Sequence, residues 1–312
     1  MKNVSLRQLR AFSSAARHLN FAKAAKELHV TPPAISMKIK ELEEEVGFSL
    51  FNRTKRQISL TTVGEYLLAD THKVLATLKD AEDTVAKLKG VTIGELIIGM
   101  VGTAVYFVPR LLANFREQHP GIKMMLKIGR NRTHLGNMLR NGEVDMVIMG
   151  RPPEDFPARN EPFAIHPLVL ITHPGHHLMK SKHIDKHELS NESFIIREEG
   201  SGTRAALEGF FKQHRLSPQI LMEMSSNEAI KHAVMAGMGI SVLSEHTIAL
   251  ERHLGLIAVP EIEGLPITRR WQLVRNHGKQ LSPSAEALRY YILEHGQHEI
   301  DRLVEHPDVM PC

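Results

Sequence analysis

The segment that decides the fold of this chain is TPPAISMKIK, residues 31–40. Read as a helix that continues past residue 40, it turns apolar side chains to one face, because they are spaced four, three and four residues apart: Ile35, Ile39, Leu42 and Val46. The opposite face, near the start of the helix, carries small, polar and basic residues: Pro33, Ser36, Met37 and Lys40. A helix of this kind is suited to lie with its outer face against an anionic, grooved partner.

Two shorter helices precede this segment. Ser5 and Gln8 form a capping box that opens a helix through Arg17. Asn20 caps a second helix that runs to Leu28. Thr31 then serves as the N-cap of the third helix, with proline where the first backbone donors lack a partner anyway. Two short helices joined by a tight turn predict a helix-turn-helix that enters a DNA major groove.

A basic hairpin follows the third helix. Arg53, Lys55 and Arg56 alternate with other residues between two short predicted strands, the second of which is Gln57–Thr61. We interpret this hairpin as a wing whose tip reaches phosphates or an adjacent minor groove. The alternative is a solvated basic loop.

The charge of the chain is unevenly distributed. The net charge is +4 over 312 residues, yet residues 1–61 alone carry 11 Lys and Arg against 5 Asp and Glu. A basic module attached to a near-neutral body indicates an anionic polymer partner at one end of the chain. The single cysteine, Cys312, excludes an intrachain disulfide. Because the first residues are polar and no long apolar run follows, we expect a cytoplasmic protein with no signal peptide and no membrane partner.

A long helix is predicted from a cap at Thr62 to about Leu88. Its heptad seam, Leu67, Val74, Ala81 and Leu88 with Thr71, Leu78 and Val85 between them, favours pairing with a second subunit. A helix packed on its own body is the alternative. Gly90 and Gly94 then predict a hinge into a new domain.

From Gly94 onward, strand and helix patterns alternate, which predicts an α/β architecture with a largely parallel sheet. We expect two such sheets, with chain crossings near 164–167 and 265–268, that enclose a cleft at the carboxyl ends of the strands. Two of the predicted strands are Leu168–Thr172 and Ile257–Val259.

The residues that follow these strands are candidates for binding a small anion. Thr103 follows the first strand, Arg151 follows the third, and Asn227 begins a helix. The loop Gly200, Ser201, Gly202, Thr203 and Arg204 opens another helix; its glycines allow positive φ, and Ser201 or Thr203 can cap the helix. Three arginines converge on the same rim: Arg151, Arg197 and Arg204. A tight turn and surface ion pairs are the alternatives for the loop and the arginines.

Histidine and nucleophile patterns do not indicate an enzyme. The group His173, His176 and His177 and the pair His183 and His187 have spacings that a metal could use, but no cysteine supports them, and we expect no metal site. The sequence contains no nucleophile elbow, no P-loop and no G-x-G-x-x-G after a strand, so we expect no catalytic residues.

The same residues resemble a known family, the LysR-type transcriptional regulators. The resemblance rests on LRAF at 9–12, FAKAA at 21–25, PAIS at 33–36, IKELE at 39–43 and LTTVG at 60–64. MGRPP at 149–153, GSGTR at 200–204 and SNEAIKHAVMAGMGIS at 226–241 are similar to the CbbR branch, which controls Calvin-cycle (RuBisCO) operons, as is Met37.

This resemblance implies three parts. They are a winged helix-turn-helix domain at 1–61, a linker or dimerisation helix at 62–90, and a periplasmic-binding-protein-like effector domain at 91–312. Subdomain I of the last would take about 91–164 and 268–312, and subdomain II about 165–267. The partners implied are promoter DNA, RNA polymerase and further copies of the chain, as a homodimer through the linker helix and a homotetramer.

The resemblance also assigns roles. It implies no cofactor but a small anionic effector, such as a phosphorylated metabolite or NADPH, that activates transcription. By position, Thr31, Pro33, Ser36 and Lys40 would face the major groove and Arg53 the minor groove. Thr103, Arg151 and the 200–204 loop would line the effector site. The family commonly has glutamine where this chain has Pro32, and proline cannot read a base edge by hydrogen bonding.

Two alternatives remain open. One is a LysR-type regulator of another operon that senses an aromatic or amino-acid-derived carboxylate. The other, from a different class, is a cytoplasmic solute-binding or enzymatic α/β protein whose basic N-terminal module is only an interaction arm.

Overall fold

The computed structural model describes residues 4–53, 58–88, 94–153, 157–181 and 184–305, without the side chains of residues 53 and 79–88. The chain divides into two compact units. The first is Met1–Val91 with Arg140–Glu143, and the second is Thr92–Leu139 with Val144–Cys312.

Three helices open the first unit: α1 (Leu6–His18), α2 (Phe21–Glu27) and α3 (Pro32–Val46). The predicted caps at Ser5 and Asn20 are confirmed. Ser5 Oγ accepts from the backbone N–H of Gln8 at 3.3 Å, and Gln8 Oε1 accepts from the backbone N–H of Ser5 at 2.7 Å. Asn20 Oδ1 accepts from the backbone N–H of Lys23 at 3.0 Å. Both helix starts are therefore satisfied locally, as their sequences predict.

Thr31 caps α3 through its backbone only. Its angles, φ −82° and ψ 150°, are those of an N-cap, but its hydroxyl makes no capping hydrogen bond. The first two helical positions are Pro32 and Pro33, which have no N–H, so fewer donors at this helix start need an acceptor. The Thr31 hydroxyl is consequently not used in holding the helix.

The apolar stripe of α3 is buried. Ile35, Ile39 and Leu42 are each 0% exposed. They pack in one cluster with Phe12 of α1 and with Phe51, whose ring meets that of Phe12 edge-on at 5.6 Å between centroids. Complete burial of an aliphatic side chain contributes about 1.5–3 kcal/mol. This stripe therefore fixes which face of α3 points outward.

The predicted wing strands are confirmed. β1 (Phe51–Arg53) pairs antiparallel with β2 (Ile58–Leu60), with Phe51 opposite Leu60. Lys55 and Arg56, at the tip of the hairpin, lie outside the described residues. Contact between this tip and DNA therefore stays a prediction.

The long helix α4 (Thr62–Leu88) has the predicted length. Its cap is Thr61 rather than Thr62, because Thr61 Oγ1 accepts from the backbone N–H of Gly64 at 3.0 Å. Along the predicted seam, Val74 is exposed whereas Thr71 is buried within the chain, so Thr71 is not available to a second subunit. The seam residues Ala81, Val85 and Leu88 lie outside the described side chains, and pairing through α4 stays a prediction.

Of the two glycines predicted to form a hinge, only Gly94 is among the described residues. Gly90 lies outside the described residues. Gly94 is the first residue of a strand, and a Cβ added there would collide with Ser284 Oγ. Close packing therefore explains glycine at this position better than a hinge does.

The second unit alternates strands and helices. Its strands are β3 (Gly94–Val101), β4 (Ile122–Gly129), β5 (Met146–Met149), β6 (Ala158–Ile171), β7 (Ser193–Arg197), β8 (Gln219–Met224), β9 (Ser241–Ser244) and β10 (Ile267–Asn276). Its α-helices are α5 (Val108–Gln118), α6 (Arg132–Arg140), α7 (Gly202–His214), α8 (Asn227–Met235), α9 (Ala249–His253) and α10 (Pro283–Glu305). A 3₁₀ helix, Gly102–Tyr106, joins β3 to α5.

The sheet of the second unit is mixed, so the prediction of two largely parallel sheets was wrong. The order is β4-β3-β5-β10-β6-β9. β3 pairs parallel with β4 and β5, but β10 pairs antiparallel with β5 and β6, and β6 with β9. A separate parallel pair is formed by β7 and β8.

The chain crossings predicted near 164–167 and 265–268 are two long strands instead. β6 and β10 pair from Ile267 opposite Leu168 to Asn276 opposite Ala158. The predicted strand Leu168–Thr172 thus captured only the end of β6, whose first part reads as a loop because it contains Pro162 and Pro167. Both prolines are accommodated in this paired strand.

The predicted strand Ile257–Val259 was also wrong. Ala258 and Thr172 exchange two backbone hydrogen bonds of 2.9 Å, and the structure records this pair as an isolated bridge. An apolar triplet without neighbouring ladder pairs does not make a strand.

Within the described part of the chain, none of the helices is long and apolar enough to cross a bilayer.

We predict that the two faces of α3 differ in their contribution to stability. Ile39→Ala removes a side chain that is 0% exposed and should cost about 2–5 kcal/mol. Met37→Ala, on the same helix but 58% exposed, should change stability by less than about 0.5 kcal/mol. Urea unfolding of the full chain, followed by circular dichroism, measures both. Equal losses in the two variants would contradict the orientation of α3.

Candidate functional site

The outward face of α3 carries the residues predicted to contact DNA. Thr31, Pro33, Met37 and Lys40 are exposed and Ser36 is half-buried. The Lys40 side chain is 75% exposed, and its Nζ lies 3.7 Å from a Glu44 oxygen. An ion pair this exposed is weak and leaves the cation able to exchange partners. The face is therefore accessible, with a small, polar and basic surface at the helix N-terminus.

The helix in front of this face is held by a cluster of charges. Glu27 of α2 accepts from Ser14 Oγ at 2.6 Å and pairs with Arg17 at 2.7 Å and His18 at 2.8 Å, all on α1. Burial raises the pKa of Glu27, but the hydrogen bond from Ser14 and the charge of Arg17 outweigh it, so the pKa lies below its usual value. The ionised carboxylate thus ties α1 to α2.

The structure places Arg53 at the end of β1, opposite Ile58 of β2. Its side chain and Arg56 lie outside the described residues. Their contact with phosphates or with the minor groove stays a prediction.

The second unit contains a cavity of about 300 Å³ at the carboxyl ends of its strands. Its walls come from the ends of β3, β4, β5 and β7 and from the start of α7. The predicted residues that line it are Thr103, Arg151, Gly200, Ser201, Gly202, Thr203 and Arg204. The rule that ligands sit beyond the carboxyl ends of strands therefore located this cavity from the sequence.

The loop before α7 is shaped by one glycine and one cap. Gly200 has φ +82°, a left-handed conformation that favours glycine. Gly202 does not share it, because this residue is the first of α7. Ser201 is the N-cap, and its Oγ accepts from the backbone N–H of Thr203 at 3.3 Å. The second predicted glycine conformation was thus wrong, whereas the cap is confirmed.

The rim arginines Arg197 and Arg204 have carboxylate partners. Arg197 pairs with Glu198 at 2.7 Å, and its Nη1 donates to Asn227 Oδ1. Arg204 pairs with Glu208 at 2.7 Å and with Glu223 at 2.5 Å. Hydrogen bonds to these two carboxylates raise the pKa of Arg204. In this structure, therefore, both Arg197 and Arg204 form ion pairs, which is the alternative that the sequence left open.

Asn227 is buried and accepts from Arg197, but it does not line the cavity. Its place is behind the rim, where it holds Arg197. Direct contact with an effector, the role predicted for Asn227, has no support from this position.

The inner wall of the cavity is formed by two residues that sequence reasoning missed, His166 of β6 and Arg269 of β10. They lie directly opposite each other in the β6–β10 ladder. No local motif marks either residue. The signal lies in the pairing of two strands that are distant in sequence, and the local pattern around both predicts a chain crossing instead.

His166 is enclosed by aromatic rings. It is 2% exposed and stacks on Trp271, with 4.0 Å between ring centroids and 11° between planes. Trp271 Nε1 donates to Nδ1 of His246 at 3.0 Å, and burial lowers the pKa of His246 to about 4. Burial, and after it the charge of Arg269, holds the pKa of His166 well below its usual value, so the imidazole is neutral near pH 7.

Arg269 is held at one end. Its Nη1 donates to the carbonyl oxygen of Gly202 at 2.8 Å, which links β10 to the first residue of α7. Burial and the nearby charge of Arg151 lower its pKa to about 10, so the guanidinium stays charged at neutral pH. Two arginines that repel each other beside one cavity favour an anion between them.

One histidine cluster could hold a metal ion. Among the described residues, His176, His177 and Glu192 bring their ligand atoms within 4.8 Å of one another. His177 Nε2 lies 2.7 Å from Glu192, while His176 Nδ1 accepts from the backbone N–H of Leu178 at 3.4 Å. A neutral ring that accepts at Nδ1 carries its proton on Nε2, the atom that faces Glu192, so neither ring nitrogen of His176 offers a free lone pair to a metal ion. His183 lies outside the described residues.

The geometry defines a class of protein. A helix-turn-helix with an accessible polar face on its third helix and a two-stranded wing is a DNA-binding module. A mixed α/β unit with a polar cavity at its strand ends is a small-ligand-binding module. The combination is that of a ligand-responsive DNA-binding regulator.

The chain belongs to the LysR family of bacterial transcriptional regulators. Residues 6–65 match the family model described as bacterial regulatory helix-turn-helix protein, lysR family, and residues 89–297 match the LysR substrate binding domain. The predicted family, the DNA-binding role and the assignment as a regulator rather than an enzyme are thereby confirmed.

Individual relatives cover nearly the whole chain. The transcriptional regulator CfxR of Cupriavidus necator is 43% identical over 311 residues, which are 100% of this chain and 97% of that protein. The RuBisCO operon transcriptional regulator of Allochromatium vinosum is 43% identical over 291 residues, 93% of this chain and 96% of that protein. Among solved structures, the Synechocystis PCC6803 CcmR regulatory domain in complex with 2-PG is 39% identical with a TM-score of 0.62, covering 64% of this chain and 96% of that one.

Proposed function

We propose that this protein regulates carbon-fixation genes, binding promoter DNA through α3 and the wing and responding to a small anionic metabolite in the cavity. The observation that best supports carbon-fixation genes as the target is the 43% identity to a regulator named for the RuBisCO operon. This identity extends over 93% of this chain. The resemblance of the CbbR-like motifs supports the same target. As in that branch, we propose activation of transcription through contact with RNA polymerase.

The proposed effector is a phosphorylated metabolite. The CcmR regulatory domain, 39% identical, has been solved with 2-PG. The cavity of this chain is lined by six arginines, which outnumber its three glutamates, together with one histidine, several small polar residues and few apolar residues. A lining of this kind favours a compact polar anion over an aromatic carboxylate. NADPH remains a proposed effector by resemblance alone.

We propose a domain organisation and assembly on the same basis. The limits are 1–61 for the DNA-binding domain, 62–90 for the linker helix and 91–312 for the effector domain with its two subdomains. Pairing through α4 gives a homodimer, and two dimers give a homotetramer. The site of action is the cytoplasm, where the DNA lies.

In DNA contact, Lys40 and Arg53 are proposed to neutralise backbone phosphates or reach base edges. We predict that Lys40→Ala and Arg53→Ala each weaken binding to the DNA upstream of this gene and reduce the slope of log affinity against log salt by about one. Retardation assays at several salt concentrations measure both quantities. Lys123→Ala is the matched control, since Lys123 is an exposed lysine in the second unit. Variants of Lys40 and Arg53 that bind like this control would remove both residues from the interface.

The effector is tested by titrating the full chain with ribulose 1,5-bisphosphate, phosphoenolpyruvate and NADPH. At least one of them should raise the unfolding temperature, because a ligand that binds only the folded state stabilises it by mass action. The same compound should change the retardation pattern of the promoter fragment. If none of these anions changes either measurement, the metabolite part of the proposal is wrong, while the DNA-binding part stands on its own test.

A further inference from the structure

The inner wall of the cavity brings one cation and one neutral imidazole to the same face of the sheet. His166 and Arg269 are directly opposite in the antiparallel β6–β10 ladder, so their side chains point to one side. Both line the cavity. Their juxtaposition is a property of strand register and does not depend on a mobile loop.

His166 has polar atoms that nothing on the chain satisfies. Within the described residues, neither Nδ1 nor Nε2 of this ring has a hydrogen-bond partner, although the residue is 2% exposed. Buried polar side chains are paired in the great majority of cases. Stacking on Trp271 alone does not require a histidine, because a phenylalanine would stack there without carrying two unsatisfied nitrogens. The histidine at this position therefore indicates a partner that comes from outside the chain.

Arg269 presents an unused edge to the cavity. Its one recorded hydrogen bond, among the described residues, goes from Nη1 to the Gly202 carbonyl oxygen. Nε is buried and has no partner there. Nε and Nη2 form the side edge of the guanidinium, the pair of parallel donors that binds a carboxylate or phosphate in a bidentate manner. The bond to Gly202 holds the guanidinium so that this edge stays available.

Gly150 leaves space between the two groups. A Cβ added to it would lie 2.9 Å from His166 Nδ1, 3.2 Å from His166 Cε1 and 3.7 Å from Arg269 Nη2. A methyl group at position 150 would therefore press against His166 Nδ1 and approach Arg269 Nη2, whereas a glycine leaves the nitrogen edges of both side chains unobstructed. Arg151, the next residue, adds positive charge, which lowers the pKa of Arg269.

We propose that His166 and Arg269 form an inner oxyanion subsite over Gly150, which binds the terminal phosphate or carboxylate of the effector. The subsite rests on the proposed function, since it names the group by which the effector is recognised. Arg269 donates from Nε and Nη2 to two oxygens. His166 donates from Nδ1 as a neutral ring and leaves Nε2 as an unprotonated lone pair.

The test measures ligand affinity in the full chain by calorimetry. Trp271 emission serves as a second readout, because Trp271 is the sole tryptophan and stacks on His166. The probes are inorganic phosphate, acetate and ribulose 1,5-bisphosphate. Comparison of phosphate with acetate shows whether the subsite prefers a phosphate or a carboxylate group.

Three variants address the subsite. Arg269→Gln removes the charged edge, and His166→Phe keeps a ring against Trp271 but removes the donor. Gly150→Ala keeps both side chains and fills the space between them. Each should weaken binding of the preferred oxyanion by about ten- to a hundredfold, as expected for loss of a hydrogen bond to a charged group.

Arg270→Gln is the matched control. Arg270 is the next residue of β10, is exposed, and points to the other side of the sheet, opposite Ile165. This variant loses the same charge and should stay within about twofold of the original affinity, since its contact would be solvent-screened. An unchanged circular dichroism spectrum and unfolding temperature without ligand show that each variant is folded.

The outcomes separate the subsite from the proposed function. Loss of affinity in the three variants but not in Arg270→Gln supports the subsite. If the unmodified chain binds ribulose 1,5-bisphosphate and Arg269→Gln binds it equally well, the subsite is wrong while the proposed function stands. An equal loss in Arg270→Gln would assign the effect to overall charge and overturn the subsite. If the unmodified chain binds promoter DNA but none of the probes, the subsite and the metabolite part of the function are overturned together.

Discussion

Burial of one aliphatic stripe determines what the first unit can do. Ile35, Ile39 and Leu42 are fully enclosed against α1 and the wing strand, and rotation of α3 about its axis would expose them to water. The polar N-terminal face is outward for this reason and not because any residue on it is held there. The same helix begins with two prolines, so even the Thr31 hydroxyl is released from capping. Packing on one side thus creates a free surface on the other, which a DNA groove can accept.

In the second unit the corresponding constraint is the antiparallel pairing of β6 with β10. This ladder places a histidine from one strand and an arginine from the other on the inner wall of the cavity. It also carries Trp271, which stacks on the histidine and excludes water from it. Backbone hydrogen bonds therefore position the ligand-facing groups, while the 200–204 loop and Gly150 shape the space in front of them.

The sequence was most informative where structure is decided locally. Caps at Ser5, Asn20 and Ser201, the stripe of α3, the wing strands and the length of α4 follow from spacings of a few residues, and these predictions are confirmed. The strand-end rule also located Thr103 and Arg151 at the cavity. Features set by distant pairing were not accessible in this way. β6 begins with a proline-containing polar run that resembles a loop, so its pairing with β10 was missed, and with it the mixed sheet, His166 and Arg269. Likewise, the sequence left open whether Arg197 and Arg204 bind a ligand or form surface ion pairs, and only the structure shows the glutamates beside them.

The central claim is that the outward face of α3 lies in the groove of the target DNA. A photoreactive amino acid in place of Met37, with the same residue in place of Tyr290 as an exposed reference on α10, tests it by crosslinking to the promoter fragment. We expect a crosslink from position 37 that disappears at high salt, and none from position 290. Crosslinking from both positions alike, or from position 290 alone, would contradict it.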